Sequence, residues 1–193
     1  MLTKRVKLPT AASRTGIVVL LTLASIAFHE SGHFIVYWLG DCPVRITLQS
    51  VRPIGDVSPR LNLLALAAGP AFSFTAAVVC LIRARRHPTF FWVTAAFINA
   101  ATLRLFPLTM DVARAIKSAK PFSDEGNVVI AITTNPIHRA MLLLLIFAAF
   151  SSLAAMSARL YDFKKHCVAK VAGIYLLSLG VGIAMVLADE FLR

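Results

Sequence analysis

Long apolar runs separated by short polar segments dominate the pattern of this chain. Five runs, over residues 16–39, 61–82, 90–110, 138–156 and 168–188, are each near the ~20 residues that an α-helix needs to cross the hydrocarbon core of a bilayer. The pattern therefore predicts an all-α polytopic membrane protein with about five transmembrane helices. A basic segment over 1–15 precedes them, and a polar loop over 117–137 separates the first three from the last two, which occupy 138–193.

The connection after the first run follows a different period. Apolar and polar residues alternate over 44–50, VRITLQS, and Pro53 and Gly55 follow. Alternation of this kind is typical of a strand, and proline and glycine favour turns. We expect a short strand or hairpin at the membrane edge after the first helix.

Composition agrees with a membrane protein, and the charge distribution predicts its orientation. The chain is 58% hydrophobic and has a net charge of +11. Cationic residues cluster at alternate ends of the apolar runs, which is what the positive-inside rule produces, so we expect an inside N-terminus, an outside C-terminus and no nucleic-acid partner. The clusters are Lys4, Arg5, Lys7 and Arg14; Arg83, Arg85 and Arg86; and Arg159, Lys164 and Lys165.

One stretch of the first apolar run carries candidate chemistry. HESGH, residues 29–33, places His29 and His33 four residues apart, on one face of a helix. Both imidazoles can then bind one metal ion, while Glu30 lies close enough to act on a metal-bound water. The alternative is that these are buried polar residues satisfied by hydrogen bonds, although charged residues inside a membrane are costly without a partner.

A catalytic metal needs a third protein ligand, and the sequence leaves several candidates. Asp111 ends the third run after Pro107, a position that can face the end of the first run; Asp124 and His138 are alternatives, and Glu125 and Asp189 complete the candidates. The alternative for Asp111 is an ordinary acid at a helix end, paired with Arg104.

These motifs resemble the site-2 protease family of intramembrane zinc metalloproteases. The resemblance covers roughly 16–116: HESGH, then AAGP at 67–70, then Pro107 and Asp111 in that order. It implies a metalloprotease core of three transmembrane helices over 16–116 and a Zn²⁺ cofactor. His29, His33 and Asp111 would be its ligands and Glu30 the general base.

The third motif departs from the family pattern. Val112 stands where the family has a glycine after the aspartate, and Arg104 stands where it has an asparagine before the proline. The group that would stabilise the reacting carbonyl is therefore unassigned. For AAGP we expect a structural role, because small residues allow the second helix to pack closely against the first.

The resemblance implies hydrolysis of peptide bonds in membrane-spanning or membrane-associated substrates. The strand residues Val44, Ile46 and Leu48 could receive an unwound substrate segment by strand addition, or the hairpin could merely cap the fold. The lipid bilayer and a membrane protein or peptide substrate are the expected partners; a regulatory membrane partner or a homo-oligomer stays open. The alternative function is a non-proteolytic metal-binding membrane scaffold or chaperone derived from the same fold.

Overall fold

The computed structural model describes residues 9–102, 104–117, 119–161 and 167–191. Within these ranges the chain forms seven α-helices, a π-helical turn and one two-stranded sheet. Five helical segments are long and apolar enough to cross a membrane, which confirms the predicted fold class. Of the basic residues used above to orient the chain, Lys4, Arg5, Lys7, Lys164 and Lys165 lie outside the described ranges.

The five long segments extend beyond the apolar runs that predict them, because each helix continues into the polar flanks. They are α1 (Ala11–Leu39); α2 (Pro59–Arg86); a third segment built from α3 (Phe90–Phe97), a π-helical turn (Ile98–Thr102) and α4 (Leu105–Ile116); α6 (Pro136–Leu160); and α7 (Cys167–Phe191). Side-chain caps begin several of them: the Thr10 hydroxyl accepts from Ser13 N–H, and Ser58 does the same for Leu61.

The third long segment lies at the centre of the bundle. In its most apolar stretch 71% of the residues are buried, against 28% in α1, α2 and α6 and 6% in α7. The larger core cluster accordingly contains the buried residues of α3 and the π-helical turn. A wider π-helical turn inside a helix is uncommon and often occurs at functional sites.

The predicted hairpin after α1 is present. Strand β1 (Val44–Ile46) pairs antiparallel with β2 (Val51–Pro53), and Ile46 lies opposite Val51. The turn between them is closed by the Thr47 N–H, which donates to the Ser50 carbonyl, and by a hydrogen bond between their hydroxyls.

The polar connection contains a helix that the sequence pattern does not predict. Within the predicted loop over 117–137, α5 (Asp124–Ile132) begins after Ser123, whose hydroxyl accepts from the Gly126 N–H. This helix packs against α2, α4 and α6. It therefore returns the connection to the bundle instead of leaving it at the surface.

Candidate metal centre

Close contact between α1 and α2 brings HESGH against the second helix. A Cβ atom on Gly32 would lie 2.7 Å from the carbonyl oxygen of Ala68, so only glycine permits this approach. A Cβ atom on Gly69 would collide with the imidazole of His33 and lie 2.6 Å from Cε1 of His29. The expected packing role of AAGP is thus confirmed, although Pro70 lies inside α2 and not in its first turn.

Helix α2 also orients both histidines. His33 Nδ1 donates to the Ala65 carbonyl at 2.7 Å, and His29 Nδ1 lies 3.1 Å from the Ser73 hydroxyl. Hydrogen bonds at Nδ1 fix the ring orientation and leave Nε2 for a metal, as is usual for metal-binding histidines. Both side chains are buried.

The two Nε2 atoms meet a carboxylate from α5. They lie 3.1 Å apart, and Asp124 Oδ2 lies 3.1 Å from His29 Nε2 and 3.3 Å from His33 Nε2. Ligands at the usual zinc distances of ~2.0–2.1 Å are separated by ~3.3 Å in a tetrahedron. Two nitrogens and one oxygen thus have the spacing of three tetrahedral ligands, and the donor set fits zinc.

Glu30 stands beside this group. The ligand atoms of His29, Glu30 and His33 all lie within 4.8 Å of one another, a grouping that could bind a metal ion. Glu30 Oε2 accepts a hydrogen bond of 2.9 Å from the Val51 N–H of β2. The carboxylate therefore faces the centre while it holds the hairpin against α1.

Asp124 reaches the histidines because it occupies the first turn of α5. Burial raises the pKa of its carboxyl group, but hydrogen bonds and charge interactions with His29 and His33 outweigh burial and bring the pKa well below its usual range. The carboxylate is consequently ionised, which is the form that binds a cation. The sequence signal was present: Ser123 followed by two acids is typical of a helix N-terminus.

The structure does not bring Asp111, the expected third ligand, to the imidazoles. Its Oδ1 accepts from the Phe122 N–H and its Oδ2 from the N–H and hydroxyl of Ser123. Asp111 is buried, and these bonds fix the residues directly before Asp124. The geometry therefore favours Asp124 as the third ligand and gives Asp111 the task of positioning it.

The other candidates have different surroundings. His138 is exposed in the first turn of α6. Asp189, buried near the end of α7, accepts from the Leu48 N–H at 3.4 Å. Glu125 pairs with Arg104, with 3.1 Å between Nη1 and Oε1. Arg104, at the position where the family pattern has an asparagine, is thus engaged with α5.

The predicted substrate-binding residues lie on the outer strand of the hairpin. Val44 and Ile46 belong to β1, and Leu48 follows in the turn. Hydrogen bonds to the partner strand fall on Pro43 and Thr47, so the backbone groups of Val44 and Ile46 point away from β2. The strand that touches Glu30 is β2, through Val51, and sequence reasoning did not identify it.

No family model, curated protein or solved structure matches this chain. The argument for function therefore rests on the geometry of these residues.

Proposed function

We propose that this chain is an integral multi-pass membrane protein that acts as a zinc metalloprotease, similar to the site-2 proteases. It would hydrolyse peptide bonds of membrane-spanning or membrane-associated substrates. The observation that carries the proposal is the convergence of His29 Nε2, His33 Nε2 and Asp124 Oδ2 beside the Glu30 carboxylate.

The ligand set supports a catalytic site over a purely structural one. Structural zinc sites have four protein ligands, whereas catalytic sites have three and keep one position for water or substrate. Here His29, His33 and Asp124 make three. When bound, zinc would supply a water of pKa near ~7 and a Lewis acid for the peptide carbonyl.

Glu30 is the general base in this proposal. It belongs to the HESGH motif but stays outside the three-ligand set, so its carboxylate can take a proton from the attacking water and pass it to the leaving amine. Its hydrogen bond to Val51 N–H fixes its orientation toward the centre. A structural metal site would have no need of a carboxylate in this position.

The hairpin is the proposed receiver of the substrate. A transmembrane helix must unwind before hydrolysis because its carbonyls are engaged in helical hydrogen bonds. An unwound segment could pair with the outward-facing backbone of Val44 and Ile46, next to the exposed Leu48 side chain, by strand addition. Val51 connects this hairpin directly to Glu30.

Zinc content and peptide cleavage, measured on the same purified samples, test the proposal. We expect about one zinc per wild-type chain, none in Asp124→Ala, and retained zinc in Asp111→Ala when zinc is saturating. Glu30→Gln should keep zinc and lose cleavage of a transmembrane model peptide by about 10²-fold or more. Asp111→Ala is the matched control, because it removes a buried carboxylate close to Asp124 that touches neither imidazole.

Two outcomes would contradict the proposal in different ways. Loss of zinc in Asp111→Ala with retention in Asp124→Ala would mean that the third ligand is Asp111. Zinc-loaded wild type that cleaves no membrane peptide, and whose zinc site is unaffected by Glu30→Gln, would favour the metal-binding scaffold.

A further inference from the structure

A second cavity opens far along α1 from the metal centre. It has a volume of about 280 Å³ and lies between the first turns of α1 and α7 and the start of α3. On α1 its walls are formed by residues before Leu20, well short of His29. The residues that define it are Arg14, Val18, Phe90, Lys170, Ile174 and Leu177.

The cavity combines two cations with apolar walls. Arg14 of α1 and Lys170 of α7 both line it, and the described lining residues include no carboxylate. Arg14 Nε is buried and, among the described residues, has no hydrogen-bond partner. A buried donor without a partner costs ~1–3 kcal/mol, so a bound acceptor at this point would be stabilising.

Cationic residues at helix ends are expected from the positive-inside rule alone, but this cavity has a further property. Arg14 and Lys170 come from two different helices and meet at one opening, whereas Arg85 and Arg86 at the end of α2 are exposed. Basic pockets between transmembrane helices at the inner face bind the headgroups of anionic lipids. The cavity lies at that face, where α1 and α7 begin and α2 ends.

We propose that this cavity binds one anionic phospholipid. Arg14 and Lys170 would bind the headgroup phosphate, and the start of an acyl chain would lie along Val18, Ile174 and Leu177. Gly173 contributes to the space, since a Cβ atom there would have no neighbour within 4 Å. The volume is near the lower limit of ~300 Å³ for ligand pockets and fits a phosphate with the start of one chain. The proposal requires the membrane placement of the chain and is independent of the metal chemistry.

Native mass spectrometry of the detergent-purified chain tests the proposal. The protein is titrated with phosphatidylglycerol, with phosphatidylcholine of the same chains, and with inorganic phosphate. We expect one tightly retained phosphatidylglycerol, and about tenfold weaker retention in Arg14→Gln and Lys170→Gln, since each loses a charge-assisted hydrogen bond. Gly173→Leu keeps both charges but fills the cavity, and should lose the lipid as well.

Arg86→Gln is the matched control, because it removes one charge from the same face outside the cavity. Its lipid retention should equal that of wild type. Equal loss in Arg86→Gln and Arg14→Gln, or equal retention of the two lipids by wild type, would overturn the proposal. Displacement by millimolar inorganic phosphate with no effect of Gly173→Leu would also overturn it, in favour of a free-phosphate site. Zinc content, measured on every variant, should stay at the wild-type level, so failure here is distinct from failure of the metal centre.

Discussion

Individual small residues decide whether the two imidazoles can meet. Gly32 allows α1 to approach the backbone of α2, and Gly69 leaves the space that the rings of His29 and His33 occupy. Cores tolerate added methyl groups poorly when a rigid group stands in the way. The rings here are rigid in that sense, because α2 fixes their Nδ1 atoms through Ala65 and Ser73.

Gly69→Ala should therefore damage the metal centre more than the fold. The new methyl group would displace both rings from their hydrogen bonds, and loss of such orienting contacts typically costs 10–100-fold in metal affinity. We expect zinc affinity, measured by competition with a chelator, to fall by about tenfold or more. Stability should fall by about 1–3 kcal/mol.

Gly173→Ala is the control for this substitution, because a methyl group there meets no atom within 4 Å. It should leave zinc affinity unchanged. Wild-type affinity in Gly69→Ala would mean that the rings are not held as described.

Between elements, a buried ion pair joins the start of α4 to the first turn of α5. Arg104 and Glu125 are 8% and 3% exposed, and their second polar atoms, Nε and Oε2, have no hydrogen-bond partner among the described residues. A buried pair of this kind contributes little net stability, but removal of one partner leaves an uncompensated charge. Because Glu125 follows Asp124, the pair also fixes the position of the proposed third ligand.

Glu125→Met alone should therefore destabilise the chain by about 3–5 kcal/mol. The double variant Arg104→Met/Glu125→Met should recover most of that loss, since no unpaired charge remains. The measurement is the free energy of unfolding in a detergent titration. A double variant less stable than the single one would contradict this account of the pair.

How far the sequence predicts this molecule also depends on the element. The long apolar runs and HESGH carry their information locally, through length and i, i+4 spacing, so five long helices and a histidine pair are predictable. Helix α5 has nine residues and lies in a polar connection, too short for a membrane-span pattern. The contact between Asp124 and His29 joins residues 95 positions apart, and no local period carries such information. Asp111 looked like the ligand because it ends a predicted span, but the loop before α5 takes both of its oxygens.

For the molecule as a whole, the charge pattern predicts one orientation in the membrane. The end of α2, with Arg83, Arg85 and Arg86, should face inside, and the hairpin region with the exposed Asp56 should face outside. In a background without the native cysteines, a membrane-impermeant maleimide should label Asp56→Cys in intact cells. Arg86→Cys should react only after permeabilisation. Labelling of both positions from the same side would contradict the five-span arrangement.

The most direct test of the metal centre is the X-ray absorption spectrum of the zinc-loaded chain in which Asp124 is replaced by cysteine. Wild type should show nitrogen and oxygen ligands, including imidazole, at about 2.0–2.1 Å. Asp124→Cys should add a sulfur ligand at about 2.3 Å, and Asp111→Cys should not. A sulfur ligand in Asp111→Cys and none in Asp124→Cys would contradict the centre built from His29, His33 and Asp124.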